Sequence, residues 1–396
     1  MAVRGVYTKA EEKMLADTKK DPLMQAGWSK APIEMVAYEH SIKGMARAVD
    51  FWNPLWRDEN YARNTRWGGI IAPPMFPERW GYAYLVLAAT PEVGFPEMTY
   101  IGEDWEFFKL VHVNDSFRVW RKPPLLEDIT SLDGKGPRRF KFMPHDLQFI
   151  NQKDELVNTQ KTYLEFVFPD GSSKDGTMPE GEGRTMPEGE GRTMPASLYK
   201  YTKEELAYIG RIETGEEIRG ARIRYWEDVN IGEEPKPVVL GPTTFADMVA
   251  YFSGMGSNLP PTREIRKREP WKLIIDPVTG VSAFSVEHHF SDRAAQVEGT
   301  PFAFHFGAWA RQLMARLVTN WMGDDGFLRR FNFRHMVITA VGDTVIGRGK
   351  VTNKRVENGE HLVDLSVWLE NMRGNVTESA VATVSLLSRE APYQWK

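Results

Sequence analysis

The sequence contains no cysteine. This absence excludes disulfide bonds, a thiol nucleophile and thiolate metal ligands, and it argues against a secreted scaffold held together by disulfides. A run of about 18 apolar residues, the length that a membrane-spanning helix needs, is also missing. Residues 1–20 are charged and lack the apolar core of a signal peptide. We therefore expect a cytoplasmic protein that does not bind or cross a membrane.

An excess of positive charge is missing as well. Lys plus Arg number 50 and Asp plus Glu number 54, which gives a net charge of -4. Nucleic-acid-binding domains carry a basic patch or stripe that neutralises phosphates, so we expect no nucleic-acid partner. The eight histidines show no spacing typical of metal ligands, and we expect no metal site.

The length and one repeated segment predict two domains. A chain of 396 residues exceeds the roughly 250–300 residues that one hydrophobic core usually serves. The octapeptide TMPEGEGR at 177–184 is repeated at 185–192, and it is too poor in apolar residues to order itself. We predict an N-terminal arm at 1–30, a first domain at 31–170, a linker at 171–200 and a second domain at 201–396.

The two predicted domains contain the same sequence patterns in the same order. NPLWRDENYARNTRWGGIIAPP at 53–74 precedes a predicted helix at 75–90, and HHFSDRAAQVEGTPFAF at 288–304 precedes a predicted helix at 305–321. Strand-like segments follow each helix, with turns at Asp115 and Asp343. Trp56 and His289 are 233 positions apart (289 minus 56), and the two aspartates are 228 apart (343 minus 115). These nearly constant offsets indicate two copies of an α+β unit, a long helix wrapped by antiparallel strands.

Segments 53–76, 224–254 and 341–351 resemble the MaoC-like hydratases and dehydratases. The first half is similar to the amino-terminal, FAS1-like dehydratase domain of that family, and the second half to the MaoC domain. The resemblance implies two tandem hot-dog folds, each a curved antiparallel sheet around a central helix. It also implies an acyl-CoA thioester as partner and no cofactor beyond the coenzyme A of the substrate. Two sheets in one chain can pair their open edges with each other, and a homodimer of such chains is possible in addition.

Active members of this family carry a loop of pattern Gly-Asp-x-Asn-Pro-x-His-x-Asp, whose aspartate and histidine handle protons during hydration. Ala295 and Gly299 follow His289 at the family spacing, so the resemblance places His289 on the catalytic histidine. The first copy has Trp56 there, which has no basic nitrogen, and we predict that this half is non-catalytic. A purely structural histidine is the alternative for His289.

The loop departs from the family pattern at its carboxylates. Ser257 stands where the first aspartate is expected, and about thirty residues separate it from His289. The nearby carboxylates that could replace the missing partner are Asp276, Glu287 and Asp292. The sequence alone does not choose among them.

The remaining candidate residues concern binding. The basic segment REIRKREPWK at 263–272 is either a solvated surface or a site for coenzyme A phosphates. The aromatic residues of the first half either fill its core or line a pocket for a bulky or ring-bearing acyl group. The substrate-binding residues that the resemblance implies are Trp52, Trp56, Gly68, Gly69, Ser257, Asn258, His305 and Gly307.

Three functions follow from these observations. The first is a lyase that interconverts an enoyl-CoA and a 3-hydroxyacyl-CoA, with His289 as general acid or base. The second is a non-catalytic acyl-CoA-binding or partner subunit with a degenerate loop, favoured by the missing aspartate. The third is a hot-dog thioesterase, which would need a carboxylate on the helix to activate water.

Overall fold

The computed structural model describes residues 29–81, 97–122, 125–129, 138–168, 196–256, 262–268, 273–297 and 300–391, with isolated positions at 13–20 and at 194. Most of the predicted N-terminal arm and of the 171–200 linker lies outside these residues. The described helices are α1 (Glu39–Val49), α2 (Glu59–Arg63), α3 (Glu78–Gly81), α4 (Lys203–Gly215), α5 (Phe245–Gly254), α6 (Thr262–Arg268), α7 (Asp292–Val297) and α8 (Gly307–Met322).

Thirteen strands occur in the described part of the chain. The first half contains β1 (Ser29–Val36), β2 (Glu97–Phe107), β3 (Ser116–Arg121), β4 (Leu125–Asp128), β5 (Arg138–Asn151) and β6 (Leu156–Phe168). The second contains β7 (Val238–Leu240), β8 (Leu273–Ile275), β9 (Ser282–Phe284), β10 (Phe327–His335), β11 (Val345–Glu357), β12 (Glu360–Asn371) and β13 (Val376–Leu386). Strands β8 and β9 form a separate hairpin.

The large sheet confirms the internal repeat. Its strand order is β1-β3-β5-β6-β2-β10-β13-β12-β11-β7, with β4 beside β5, so each half has the same order read outward from its centre. The halves join where β2 runs antiparallel to β10, with Trp105 opposite Phe331. This is the predicted α+β arrangement of two tandem hot-dog folds, although one continuous sheet crosses both halves. The predicted domain boundaries stay predictions.

Two short bridges confirm the predicted register between the copies. Ile71 pairs with His112 in the first half, and Phe304 pairs with Ala340 in the second. The members of these bridges are 233 and 228 positions apart (304 minus 71 and 340 minus 112), the same offsets that the sequence analysis used. Two short helices, α2 and α7, also begin 233 positions apart (292 minus 59).

Helix α8 is the central helix of the second half. It begins at Gly307 and ends at Met322, close to the predicted 305–321. The sheet wraps it so fully that even polar residues such as Gln312 and Asn320 are buried. Of the helix predicted at 75–90, the described residues contain only the turn α3, and positions 82–90 lie outside them. No described helix has the length and apolar character that crossing a membrane requires.

Strand β11 carries glycine beside β7, at a place where a larger side chain has no room. A Cβ added at Gly347 would lie 2.7 Å from a Val238 methyl and 3.6 Å from Leu317 on the helix. We expect Gly347→Val to lower the free energy of unfolding by about 1–3 kcal/mol, because overpacking forces neighbours out of place. Urea unfolding measures this change. Gly210→Ala is the matched control: nothing lies within 4 Å of its added Cβ in α4, so we expect a gain of about 0.5–1 kcal/mol.

A buried cluster of charges joins α8 to the first half. The Arg311 guanidinium pairs with Glu78 of α3 and with Glu103 of β2, and all three side chains are fully buried. Trp105 Nε1 donates to Glu103 (2.6 Å), and Gln312 donates to Glu78 (3.0 Å). Burial raises the pKa of Glu78 to about 7 in spite of the attraction of Arg311. One cation therefore serves two carboxyl groups in the interior, which ties the halves together.

Candidate active site

The loop around His289 and its first-half counterpart have the same local structure. Residues Ser285–His289 form a 3₁₀ turn followed by α7, and Pro54–Trp56 form a 3₁₀ turn followed by α2. Asn53 starts the first turn by accepting a hydrogen bond from the Leu55 amide (3.1 Å). The structure therefore places His289 and Trp56 at equivalent positions, as the sequence offset predicts.

His289 has a fixed orientation. Its Nδ1 lies 2.8 Å from the carbonyl oxygen of Phe304. Because a carbonyl only accepts, Nδ1 carries the proton, and Nε2 of the neutral ring is an acceptor. His288 Nε2 lies 3.1 Å from His289 Nε2 and is therefore the donor of the hydrogen bond between the two rings. His289 thus belongs to a histidine pair whose tautomers are set by one backbone carbonyl.

Aromatic rings surround His289. The rings of Phe304 and Phe306 lie edge-on to the imidazole, with centroids 4.7 and 4.8 Å away, and His288 stacks on Phe304. His289 is only 7% exposed. Burial is the main cause that lowers the pKa of His289 well below its usual value, and the neighbouring His288 adds to the effect. The ring is therefore neutral at physiological pH, with the lone pair of Nε2 directed at His288.

The three carboxylates expected to assist His289 bind elsewhere. Asp292 accepts a hydrogen bond from the Ala303 amide (2.8 Å). Glu287 interacts with Thr262 Oγ1 (3.2 Å) and with the Phe284 amide.

Asp276 is held by Arg293, whose Nη2 donates to it (2.8 Å); this pairing lowers the pKa of Asp276. Within the described residues His289 therefore has a histidine as its polar side-chain partner. Each of the three carboxylates binds a local amide, hydroxyl or guanidinium, and a role for any of them beside His289 stays a prediction.

The first-half loop has a buried carboxyl in place of a base. Trp56 Nε1 donates to Asp50 Oδ2 (2.8 Å), and Trp56 and Asp50 are 3% and 4% exposed. Burial raises the pKa of Asp50 from 3.8 to about 6, while Arg316 and the Trp56 bond act in the opposite direction. Asp50 directly follows α1 and was not among the predicted site residues.

Asp50 makes stability depend on pH. Its pKa is higher in the folded protein, so its contribution to stability is fully present below about pH 4 and is lost as the pH rises through about 6. We expect Asp50→Asn to make the decline in unfolding free energy over this interval shallower. Urea unfolding across a pH series measures the slope, and an unchanged slope would show that Asp50 does not hold this proton.

A cavity of about 640 Å³ opens beside Asp50. Its walls come from the end of α1, from α4, from β7 and the loop that follows it, and from one face of α8. They combine apolar and charged side chains: Arg47, Ala48, Val49, Asp50, Phe51, Trp52, Glu213, Glu216, Ile218, Val239, Leu240, Gly241, Pro242, Thr243, Asp247, Trp309, Leu313 and Arg316. Of the predicted binding residues, Trp52 lines this cavity and is 75% exposed.

Four other predicted binding residues have structural explanations. Gly68 and Gly69 lie in a turn: Gly68 has a left-handed φ of 69°, and its amide donates to the carbonyl oxygen of Thr65. His305 Nε2 lies 2.7 Å from Thr243 Oγ1, and burial lowers its pKa to about 3. Gly307 leaves room for Tyr100, since an added Cβ would lie 2.9 Å from that ring. The predicted residues Ser257 and Asn258 lie outside the described part of the chain.

Arg79 contacts the chain just before Ser257, and no sequence pattern predicts this contact. Its guanidinium packs on Gly256, the residue before Ser257, so closely that an added Cβ would overlap it. Burial lowers the pKa of Arg79, and its Nε has no hydrogen-bond partner among the described residues. The positive φ of Gly256 (60°) accompanies this contact, but the sequence does not reveal it because Arg79 is remote along the chain.

Comparisons with known proteins support the resemblance. A family model described as FAS1-like, dehydratase domain region, matches residues 24–160. Among curated proteins, none matches the sequence. A solved MaoC-like dehydratase is 15% identical with a TM-score of 0.62, and the similarity covers 92% of this chain and all of the other.

Two further structures share this architecture. A MaoC domain protein dehydratase from Chloroflexus aurantiacus is 13% identical, with a TM-score of 0.52 over 91% of this chain and 95% of the other. A double hotdog-fold protein from Mycobacterium tuberculosis is 10% identical, with a TM-score of 0.50 over 92% and 98%. Residues 24–160 thus match a FAS1-like dehydratase region, and the chain shares the double hot-dog fold of these structures.

Proposed function

We propose that this protein is a hydratase or dehydratase that interconverts an enoyl-CoA and a 3-hydroxyacyl-CoA. The observation that carries the proposal is the position of His289, at the loop site where the family pattern has its catalytic histidine, with its tautomer fixed by Phe304. The fold and the FAS1-like dehydratase region support the same class of reaction.

The histidine pair can move the protons that this reaction requires. In hydration, the water oxygen bonds to the β-carbon, and the pair takes up the proton that the water loses. A proton is then delivered to the α-carbon, so the product gains one water and the pair returns to its starting state. The His288–His289 hydrogen bond lets two imidazoles share the transient charge, while the Phe304 carbonyl holds the Nδ1 proton.

We extend the proposal to a bulky or ring-bearing acyl group. Its support is the aromatic surroundings of the histidine pair, where Phe252 also packs on Phe290 and Phe306. Apolar ring surfaces bind apolar acyl groups and exclude water from the reacting atoms. A homodimer and a cytoplasmic location stay predictions, as does the need for no cofactor besides the coenzyme A of the substrate.

A non-catalytic acyl-CoA-binding subunit is the second candidate. One observation favours it: within the described residues, His289 has no carboxylate partner to stabilise its protonated form. The two candidates differ in turnover, since a binding subunit leaves the thioester unchanged.

Mass spectrometry separates these functions. The purified protein is incubated with short, branched and aromatic enoyl-CoA thioesters, and the acyl-CoA products are weighed. We expect at least one thioester to gain the mass of one water, most rapidly with a bulky acyl group. Binding of the panel without any mass change would favour the binding subunit. Release of free coenzyme A would instead indicate a thioesterase.

A further inference from the structure

The cavity beside Asp50 lies between the two halves of the chain: residues 47–52 of the first half form one part of its wall, and residues of the second half form the rest. It lies between the end of α1 and the face of α8 that carries Trp309, Leu313 and Arg316. Its volume of about 640 Å³ falls within the range of small-molecule pockets, about 300–1,000 Å³. Nothing in the proposed hydration at His289 uses this space.

The corresponding place in the second half has different residues. Helix α5 corresponds to α1, because Tyr38 and Thr244 start these helices and the amides just before them, Ala37 and Thr243, donate to Asp115 and Asp343. After α5 the chain has glycine at 256, on which Arg79 packs. At this position the second half therefore has a glycine in contact with an arginine, whereas the first half has a buried carboxyl beside a cavity.

Most charged groups of the cavity wall have partners of their own. Arg316 binds Glu216 through Nε (2.8 Å) and Nη2, and Asn320 donates to the same carboxylate (2.7 Å). Asp247 accepts hydrogen bonds from the Thr244 amide and hydroxyl at the start of α5. These groups are satisfied within the protein and need no ligand.

Asp50 differs from these groups in being 4% exposed and lining the cavity with acceptor capacity to spare. A carboxylate accepts about four hydrogen bonds, and Asp50 accepts side-chain bonds from Trp56 Nε1 and from Asn53. A ligand that donates to Asp50 would compensate the cost of burying this group. An anionic head group would be repelled, because Glu213, Glu216 and Asp247 also line the wall, against only Arg47 and Arg316.

The apolar part of the wall determines the rest of the ligand. Trp309 and Leu313 of α8 lie on one side and Trp52 at the exposed rim on the other. We propose that this cavity is a second ligand site, which binds an apolar small molecule whose uncharged or cationic head group donates a hydrogen bond to Asp50. The site is separate from the histidine pair and does not depend on the proposed hydratase activity.

Three probes of one shape test the site: phenylethanol, phenylethylamine and phenylacetate. Their dissociation constants are measured by ligand-detected NMR with the full chain. We expect the alcohol or the amine to bind about tenfold more tightly than the acid, because only the acid repels Asp50. Tighter binding of the amine than of the alcohol identifies a cationic ligand, and the reverse order identifies a hydroxyl compound.

Variants locate the binding. Asp50→Asn keeps an acceptor for Trp56 but places an amide donor toward the ligand. We therefore expect it to raise the dissociation constant of the best probe about tenfold. Trp52→Ala changes a side chain that is 75% exposed, and we expect it to weaken binding of the probes as well. Tyr38→Ala is the matched control: Tyr38 is 51% exposed, and its replacement should leave probe binding unchanged. His289→Ala should bind the probes like the wild type, whatever its effect on hydration. Equal binding of all three probes, or unchanged binding by both cavity variants, would overturn the proposal.

Discussion

Arg311→Ala is expected to lower the free energy of unfolding by about 3–5 kcal/mol. The substitution removes the cation between Glu78 and Glu103, and both carboxyl groups stay fully buried. It also removes the side chain that links α8 to both α3 and β2, and thus one half of the molecule to the other. Urea unfolding of the two proteins at neutral pH measures the difference.

Arg330→Ala is the matched control for this prediction. Arg330 also pairs across the junction between β10 and β2, with Glu106 (3.3 Å), but the two side chains are 50% and 46% exposed. Water screens such a pair, so we expect a loss of at most about 1 kcal/mol. Similar losses for the two variants would contradict the view that the Arg311 cluster holds the halves together.

His289→Ala is expected to lower the rate of hydration by about 10²–10⁴-fold, the usual contribution of a general acid or base. The variant keeps the loop, because Asp292 and Glu287 hold their neighbouring amides independently of the ring. Steady-state kinetics with the most reactive enoyl-CoA of the panel measures kcat and KM. We expect the loss to appear in kcat, since the imidazole acts on the reacting protons.

His112→Ala provides the comparison for His289→Ala. The side chain of His112 is exposed in the first half, at the position that Ala340 holds in the second. We expect this variant to hydrate at the wild-type rate. An unchanged rate for His289→Ala, in a protein that unfolds like the wild type, would remove the histidine pair from the mechanism.

The sequence predicted features that recur along the chain. The offsets between Trp56 and His289 and between Asp115 and Asp343 predicted the duplication, and the two bridges reproduce both offsets. The apolar spacing of α8 predicted its length to within two residues. Such features depend on local sequence patterns, and this chain contains these patterns twice.

The sequence could not predict contacts between remote residues. Arg311 and Glu103 are 208 positions apart, and no local pattern indicates that they meet in the interior. The same is true of Arg79 and Gly256, and of the cavity that α1 and α8 enclose beside Asp50.

The carboxylates near the loop have local partners that the sequence does not reveal. Asp276, Glu287 and Asp292 are close to His289 along the chain, but each binds a nearer amide, hydroxyl or guanidinium. The polar side chain that does contact His289 is His288, whose Nε2 lies 3.1 Å from His289 Nε2.

The most direct test of the central claim is a reaction in water labelled with heavy oxygen, using the most reactive enoyl-CoA and the wild-type protein. The account predicts that the label enters the acyl-CoA as one hydroxyl group, with coenzyme A still attached, and that His289→Ala suppresses the incorporation. Label in a free acid, together with released coenzyme A, would show hydrolysis of the thioester and contradict the assignment as a hydratase.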